Sequence, residues 1–248
     1  SCTFDETVWI EGIAPDVHTN TFTAEVIDDE RNTDTDSASA DVTFTYVPSI
    51  KLVKVVDNSE YNGSAVASQW TLTASGDSKG FSDNGATGTY HFVTPGQEYT
   101  LSESSVSGYE SLGWSCTGGV LDDDVLTLSA EDDVVCTITN KALPATLIVR
   151  KVLVKNNGGN ESVTDFKFTV NGGSETPFES DGENVLTLSA GRYTVRESSV
   201  SGYRTTYSGC TNIQIANGET KTCTITNNDI APTITLNKVV IKIGRAHV

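Results

Sequence analysis

Glu103-Ser104-Ser105-Val106-Ser107-Gly108-Tyr109 recurs letter for letter as Glu197-Ser198-Ser199-Val200-Ser201-Gly202-Tyr203. A second run, Cys136-Thr137-Ile138-Thr139-Asn140, recurs as Cys223-Thr224-Ile225-Thr226-Asn227. Upstream, an apolar-x-Lys-Val pattern occurs three times: Leu52-Val53-Lys54-Val55, Val149-Arg150-Lys151-Val152 and Leu236-Asn237-Lys238-Val239. These signals keep one order and return about 90 residues later. Self-similarity at such a period marks an array of like modules.

Module boundaries follow from proline. Pro48, Pro144 and Pro232 each precede the patterned Lys by six or seven residues. Proline stiffens a linker and is excluded from a central strand. The first repeat is therefore expected over 48–141 and the second over 144–229. The start of a truncated third falls at 230–242. The last six residues, Ile243-Gly244-Arg245-Ala246-His247-Val248, read as a translated sequencing adapter and are set aside.

Short Val/Thr/Tyr/Phe runs separated by Gly, Asn and Asp clusters read as strands and turns. Sustained helical spacing of apolar residues is missing. The first repeat divides into about seven strands, near 50–57, 68–75, 88–93, 97–103, 112–117, 124–129 and 133–140. Turn signals such as Ser75-Gly76-Asp77, Asn84-Gly85 and Pro95-Gly96 fall between them. That density of strands predicts an all-β chain of tandem β-sandwich repeats.

Residues 1–47 differ. Phe22, Ala24 and Val26 alternate, as do Val42, Phe44 and Tyr46, around the acidic run Asp28-Asp29-Glu30-Arg31-Asn32-Thr33-Asp34-Thr35-Asp36. This reads as the last hairpin of a truncated β-domain. It resembles the acidic end of Ig-like repeats of bacterial surface proteins.

The net charge of −17 argues against nucleic acid and anionic membrane as partners, since both need Lys or Arg to neutralise phosphate. It fits a solvated, soluble surface. No stretch reaches the roughly 18 apolar residues of a membrane span. The chain has five Cys. Each repeat holds one after the Gly-Tyr motif and one in its last strand, giving the expected pairs Cys116 with Cys136 and Cys210 with Cys223. Cys2 is left over, its partner expected upstream. One pair per repeat at matching positions reads as intradomain disulfides and an oxidising, extracellular compartment. Zinc is excluded by the lack of a Cys-x-x-Cys or Cys/His cluster.

Side chains on a strand alternate faces. By that parity Lys54 lies with Ile50, Leu52 and Val56, and Lys151 with Leu147, Val149 and Leu153. Lys238 lies likewise with Ile234, Leu236 and Val240. Glu103 lies with Tyr99 and Leu101, and Glu197 with Tyr193 and Val195. Asn140 lies with Cys136 and Ile138, and Asn227 with Cys223 and Ile225. Each polar residue is thus expected on the apolar face. Desolvation lowers the pKa of a lysine and raises that of a carboxylic acid. A neutral amine is a nucleophile, and a protonated carboxyl polarises a carbonyl and moves protons. An Asn amide between them is open to attack, releasing ammonia and leaving a Lys–Asn isopeptide bond.

The order Lys in strand one, Tyr-x-x-x-Glu-(x)4-Gly-Tyr in the middle and Asn ending the last strand resembles the Cna B-type, prealbumin-like repeats of bacterial adhesins and pilins. The matching stretches run from Tyr99 to Tyr109 and from Tyr193 to Tyr203, and the resemblance covers about 48–229. It implies a prealbumin-like sandwich and a stalk or adhesin role. Carried over by position, it implies the cross-link triads Lys54/Glu103/Asn140 and Lys151/Glu197/Asn227. Two departures stand. The motif has Ser-Ser-Val-Ser where many members carry Thr and Pro, and each repeat has a Cys pair. The alternative is a Lys–Glu salt bridge near a strand end with Asn as a turn residue.

Other chemistry is thin. A glycine-rich phosphate loop and Gly-x-Ser-x-Gly are lacking, and His18 and His91 have no evident nucleophile beside them. Asp122-Asp123-Asp124 reads as an acidic hairpin turn. Asp28, Asp29, Asp34 and Asp36 offer hard oxygen ligands suited to calcium, or simply a solvated turn. Trp114 and Tyr109 fall near a sandwich end, open to core packing or to sugar contact. The function read is a non-enzymatic structural spacer whose partners are other repeats of its parent chain. The alternatives are a module that binds an extracellular polysaccharide or matrix protein, and an accessory region of an enzyme.

Overall fold

The computed structural model describes residues 14–76, 78–241 and 244. Cys2, Asp77 and all but Gly244 of the adapter-like tail lie outside the described residues. The chain divides into two compact units with the break between Lys141 and Ala142, residues 58–64 and 107–109 being grouped with the second. Among the described residues the regular structure is strand, apart from two single-turn 3-10 helices at Ala67–Gln69 and Val163–Asp165. The expected all-β class is observed.

The amino-terminal stretch is a hairpin of β1 (Asp16–Ile27) and β2 (Thr33–Phe44), twelve residues each. The strands pair along their whole length, from Asp16 opposite Phe44 to Ile27 opposite Thr33. This places Phe22, Ala24, Ala38 and Val42 on one face, and Phe22, Val26 and Val42 remain exposed.

The first repeat holds β3 (Ser49–Asp57), β4 (Thr71–Ser75), β5 (Phe81–Asn84), β6 (Tyr90–Phe92) and β7 (Glu98–Glu103). It continues with β8 (Tyr109–Cys116), β9 (Val120–Asp122), β10 (Val125–Thr127) and β11 (Asp133–Ala142). They form two sheets, ordered β5-β4-β7-β10-β9 and β6-β3-β11-β8. The inward rows of both sheets are fully buried: Ile50 and Leu52 from β3, Leu72 and Ala74 from β4, Tyr99 and Leu101 from β7, Cys136 and Ile138 from β11. Trp70, next to β4, is fully buried with them. Each large apolar side chain buried in this way stabilises by about 1.5–3 kcal/mol relative to exposure. The sequence reading lacked β5 and β9. Both are edge strands of three or four residues, too short and polar to show an alternating pattern. The Asp122-Asp123-Asp124 run is the turn joining β9 to β10, with Asp123 at a φ of 50°.

The second repeat holds β12 (Ala145–Val154), β13 (Lys167–Val170), β14 (Thr176–Pro177), β15 (Glu183–Leu188) and β16 (Gly191–Tyr193). It continues with β17 (Val195–Glu197), β18 (Tyr203–Ser208), β19 (Ile213–Ile215) and β20 (Thr220–Asp229). Its main sheet is β15-β12-β20-β18, faced by the smaller sheets β14-β13-β17 and β16-β19. Leu147, Val149, Phe166, Phe168, Phe178, Val195, Cys223 and Ile225 make its core.

Two features position the chemistry. First, the opening and closing strands of each repeat are parallel neighbours: β3 with β11, and β12 with β20. Second, the Ser-Ser-Val-Ser-Gly-Tyr runs turn the chain from the end of one sheet into the other. Gly108 and Gly202 sit there at φ 81° and 80°, a left-handed conformation that disfavours any residue with a Cβ.

Residues 230–241 carry the same apolar alternation as β3 and β12 yet form no strand. Ile234 and Leu236, expected on a buried face, are 86% and 90% exposed.

Candidate functional site

In the first repeat Lys54 faces Ile138 across the parallel pair, and Val56 faces Asn140. Lys54 and Asn140 both point inward, so the long lysine stem reaches along its strand to the Asn140 amide. The Lys54 ε-amine donates to Asn140 Oδ1. It also donates to Glu103 Oε2 at 2.5 Å. Glu103 comes from the opposite sheet, at the end of β7, where it pairs with Leu72. The Lys54 side chain is fully buried and that of Glu103 is 12% exposed. The Trp70 ring lies 4.6 Å from the amine.

The second repeat builds the same cluster. Lys151 of β12 donates to Asn227 Oδ1 at 2.5 Å. It also donates to Glu197 at the end of β17. Here both charged side chains are fully buried. The rings of Phe166 and Phe178 stand 3.5 Å and 5.1 Å from the amine.

Desolvation holds the Lys54 amine below the ordinary lysine range, against the opposing pull of the hydrogen bond and charge of Glu103. The same balance carries Lys151 down to about 8, with Glu197 opposing. Each cluster therefore sets an amine with a lowered proton affinity against an amide carbonyl, with a carboxyl in contact and apolar rings in place of water. These are the requirements for the amine to attack the amide.

Both disulfides join the expected cysteines, Cys116 to Cys136 and Cys210 to Cys223. Cys136 lies on β11 four residues before Asn140, on the same inward face. Thus β11 is bonded to β8 on one flank and presents Asn140 to β3 on the other.

A family model described as a prealbumin-like fold domain matches residues 47–138 and, a second time, residues 142–240. The chain belongs to the prealbumin-like fold domain family. Solved structures similar to it include the Bacillus anthracis TIE protein, at 18% identity and a TM-score of 0.47, covering 86% of this chain and 42% of that one. A C-terminal fragment of the pilus adhesin SpaC of Lactobacillus rhamnosus GG is similar at 14% identity and a TM-score of 0.36, over 77% of this chain and 100% of that one. Two B repeats of the Staphylococcus aureus collagen-binding protein Cna are similar at 17% identity and a TM-score of 0.26, over 85% and 56%. The chain thus spans less than half the length of the Bacillus anthracis protein. No curated protein matches it.

Tyr109 donates its hydroxyl to Asn58 Oδ1 at 2.5 Å, and Trp114 is half-buried. In the amino-terminal hairpin, Asp28 Oδ1 accepts the backbone N–H groups of Glu30 and Asn32, and its Oδ2 accepts the Asn32 side-chain amide. Asp34 and Asp36 lie along β2, opposite Val26 and Ala24. Among the described residues no three His, Cys, Asp or Glu side chains are placed to share a metal ion.

Sequence reading passed over Thr205. It stands on β18 directly opposite Asn227, and its hydroxyl bridges Asn227 to Glu197. The available signal was its place two residues after Tyr203, on the same inward row. Asp229 was also missed. It is buried at the end of β20 and gathers the backbone N–H groups of Asn156, Asn157 and Gly159.

Proposed function

We propose that this chain is a pair of extracellular spacer repeats of a surface adhesin or pilus-like protein, each closed by an isopeptide bond between its first and last strands as well as by its disulfide. The single observation that carries this is the contact of a buried lysine amine with a buried asparagine amide across parallel terminal strands, repeated at equivalent places in both repeats. The twofold family match and the Cys pairs support it.

The step balances within each cluster. The neutral Lys151 amine attacks Cγ of Asn227, forming the Nζ–Cγ bond with Glu197 protonated beside it. The tetrahedral centre then collapses, the Cγ–Nδ2 bond breaks, and one proton from Nζ ends on the departing nitrogen. Ammonia leaves, and Glu197 finishes with the proton it started with. Lys54, Glu103 and Asn140 follow the same course.

In such a repeat a pulling force enters through β3 and leaves through β11. A Lys54–Asn140 bond carries that load directly, leaving residues 55–139 outside its path. A spacer that holds a distal module away from a surface under shear needs this property.

Intact mass of the purified chain, with and without reductant, tests the proposal. Two isopeptide bonds remove the mass of two ammonia molecules regardless of reductant. A mass that changes only on reduction would leave the disulfides as the sole covalent closures. Glu103→Gln is expected to restore one ammonia by disabling the first cluster alone.

A further inference from the structure

The two clusters are not equivalent, and the difference lies at Thr205. Its hydroxyl donates to Glu197 Oε1 at 3.2 Å. It accepts from Asn227 Nδ2 at 3.1 Å. Thr205 and Asn227 are direct cross-strand partners in the β18–β20 ladder, which fixes this approach through the backbone. The Asn227 amide is thus held at both ends, its oxygen toward Lys151 and its nitrogen toward Thr205. In the first repeat the position two residues after the motif tyrosine is Ser111. That residue is exposed, and its hydroxyl accepts the Gly113 N–H.

We infer that Thr205 is a fourth working residue of the second cluster, which orients the Asn227 amide for attack and passes the proton from Glu197 to the leaving nitrogen. The inference rests on the isopeptide reading above. The Nζ–Cγ bond forms and one Nζ proton moves to Glu197 Oε2. With Oε1 protonated, the Thr205 hydroxyl turns its proton from Oε1 toward Nδ2; the proton on Oε1 then moves to Oγ1 as the hydroxyl proton moves to Nδ2. The Cγ–Nδ2 bond breaks and ammonia departs. Glu197 and Thr205 each end with the protons they began with, so no outside acid or base is consumed. The amide nitrogen accepts poorly while it is planar. Once the carbon becomes tetrahedral its lone pair is freed and faces the hydroxyl already in contact with it. Without such a carrier the proton has to reach Nδ2 from the far side of the cluster, where Lys151 and Glu197 are closed off from solvent.

The test follows bond formation during cell-free synthesis of the full chain. Samples are quenched in acid and denaturant at timed intervals. After proteolysis, the linked peptide joining Lys151 to Asn227 is quantified by mass, with that joining Lys54 to Asn140 as internal control. Thr205→Val, close in shape but lacking the hydroxyl, is expected to slow the 151–227 link by roughly a hundredfold, the lower end of what a positioned proton carrier contributes. Thr205→Ala should match it, Thr205→Ser should stay within a few-fold of the parent chain, and the 54–140 link should be unchanged throughout. The opposite pattern, with Val at the parent rate and Ser and Ala slow, would show that Thr205 acts through its methyl group and would overturn the inference. So would equal rates in all four chains. The Cys210–Cys223 disulfide, read from the same digests, reports whether the second repeat has folded. A parent chain that forms this disulfide but never links 151 to 227 would overturn the isopeptide reading itself and the inference with it.

Discussion

The Lys54 ε-amine touches the Asn140 side-chain oxygen although the two residues are 86 positions apart in the chain. They meet because β3 and β11 run parallel and in register from Ser49 opposite Asp133 to Asp57 opposite Lys141. In a parallel pair the two chain ends leave in opposite directions. Tension on the ends therefore shears the pair, and a bond between Lys54 and Asn140 stands across the shear plane.

Mechanical stretching separates the contributions of the two closures. The parent chain pulled from its ends should show no extension from the first repeat. Asn140→Ala, unable to form the bond, should unfold and lengthen. In that variant the disulfide still hides the span from Cys116 to Cys136, a sequence separation of 20. Adding reductant should lengthen the released step by about 70 Å, at about 3.5 Å per extended residue. Single-molecule force spectroscopy of the two chains reads both steps. A first repeat that lengthens equally in parent and variant would refute the bond's role in carrying load.

The second cluster predicts an asymmetry between single and double substitutions. Lys151 and Glu197 are wholly buried against one another. Removing only the lysine leaves a carboxylate in an apolar core, which costs about 3–5 kcal/mol. Lys151→Met alone should therefore lower the stability of the second repeat by about 3 kcal/mol relative to Lys151→Met with Glu197→Leu. Neither chain can form the cross-link, so the comparison isolates the buried charge. Denaturant titration of the two variants measures it, and equal midpoints would mean that water reaches Glu197.

Asp229 gives a prediction at low pH. Burial works against its charge, yet the backbone N–H groups of Gly159, Asn156 and Asn157, with the Asn157 side chain, carry its carboxyl below the ordinary range. A carboxyl lowered in the folded state contributes stability above its unfolded pKa and loses it as pH falls through the folded value. The amides of Asn156, Asn157 and Gly159 should thus be protected from hydrogen exchange at neutral pH and lose that protection below the ordinary Asp range. Asp229→Ala should remove the protection at every pH. Protection that persists in the variant would assign the loop's order to other contacts.

Much of this was legible because strands alternate. Counting by twos from Ile50 puts Lys54 inside, and from Leu147 it puts Lys151 inside; both are buried in the structure. The cysteine pairs were legible from the repeat instead, since each Cys stands at a matching position in both copies. Alternation does not, however, say whether a facing layer is present. Phe22 and Val26 alternate on β1 and remain exposed, and Ile234 and Leu236 alternate without any strand at all. Thr205 was illegible for a different reason. A threonine in a strand is the ordinary choice of a β-branched residue, and only the register against Asn227 gives its hydroxyl a task.

The last prediction concerns pH and the second cross-link. The Lys151 amine holds its proton up to about 8, because burial lowers it while Glu197 opposes. Below that pH the amine is protonated, and moving that one proton from Nζ to Glu197 gives the reactive pair. The ionic arrangement and the reactive one, neutral amine with protonated carboxyl, differ only in where that proton sits. Their ratio is therefore independent of pH. The rate of the 151–227 link should be flat from mildly acidic pH up to about 8, then fall by about tenfold per unit as that proton is lost. Timed quenching of cell-free synthesis across buffers from pH 6 to 10 reads the profile. A rate that climbs toward pH 8 and levels above it would mean that Glu197 acts as a carboxylate base, and the protonated Glu197 of the proposed step would be wrong.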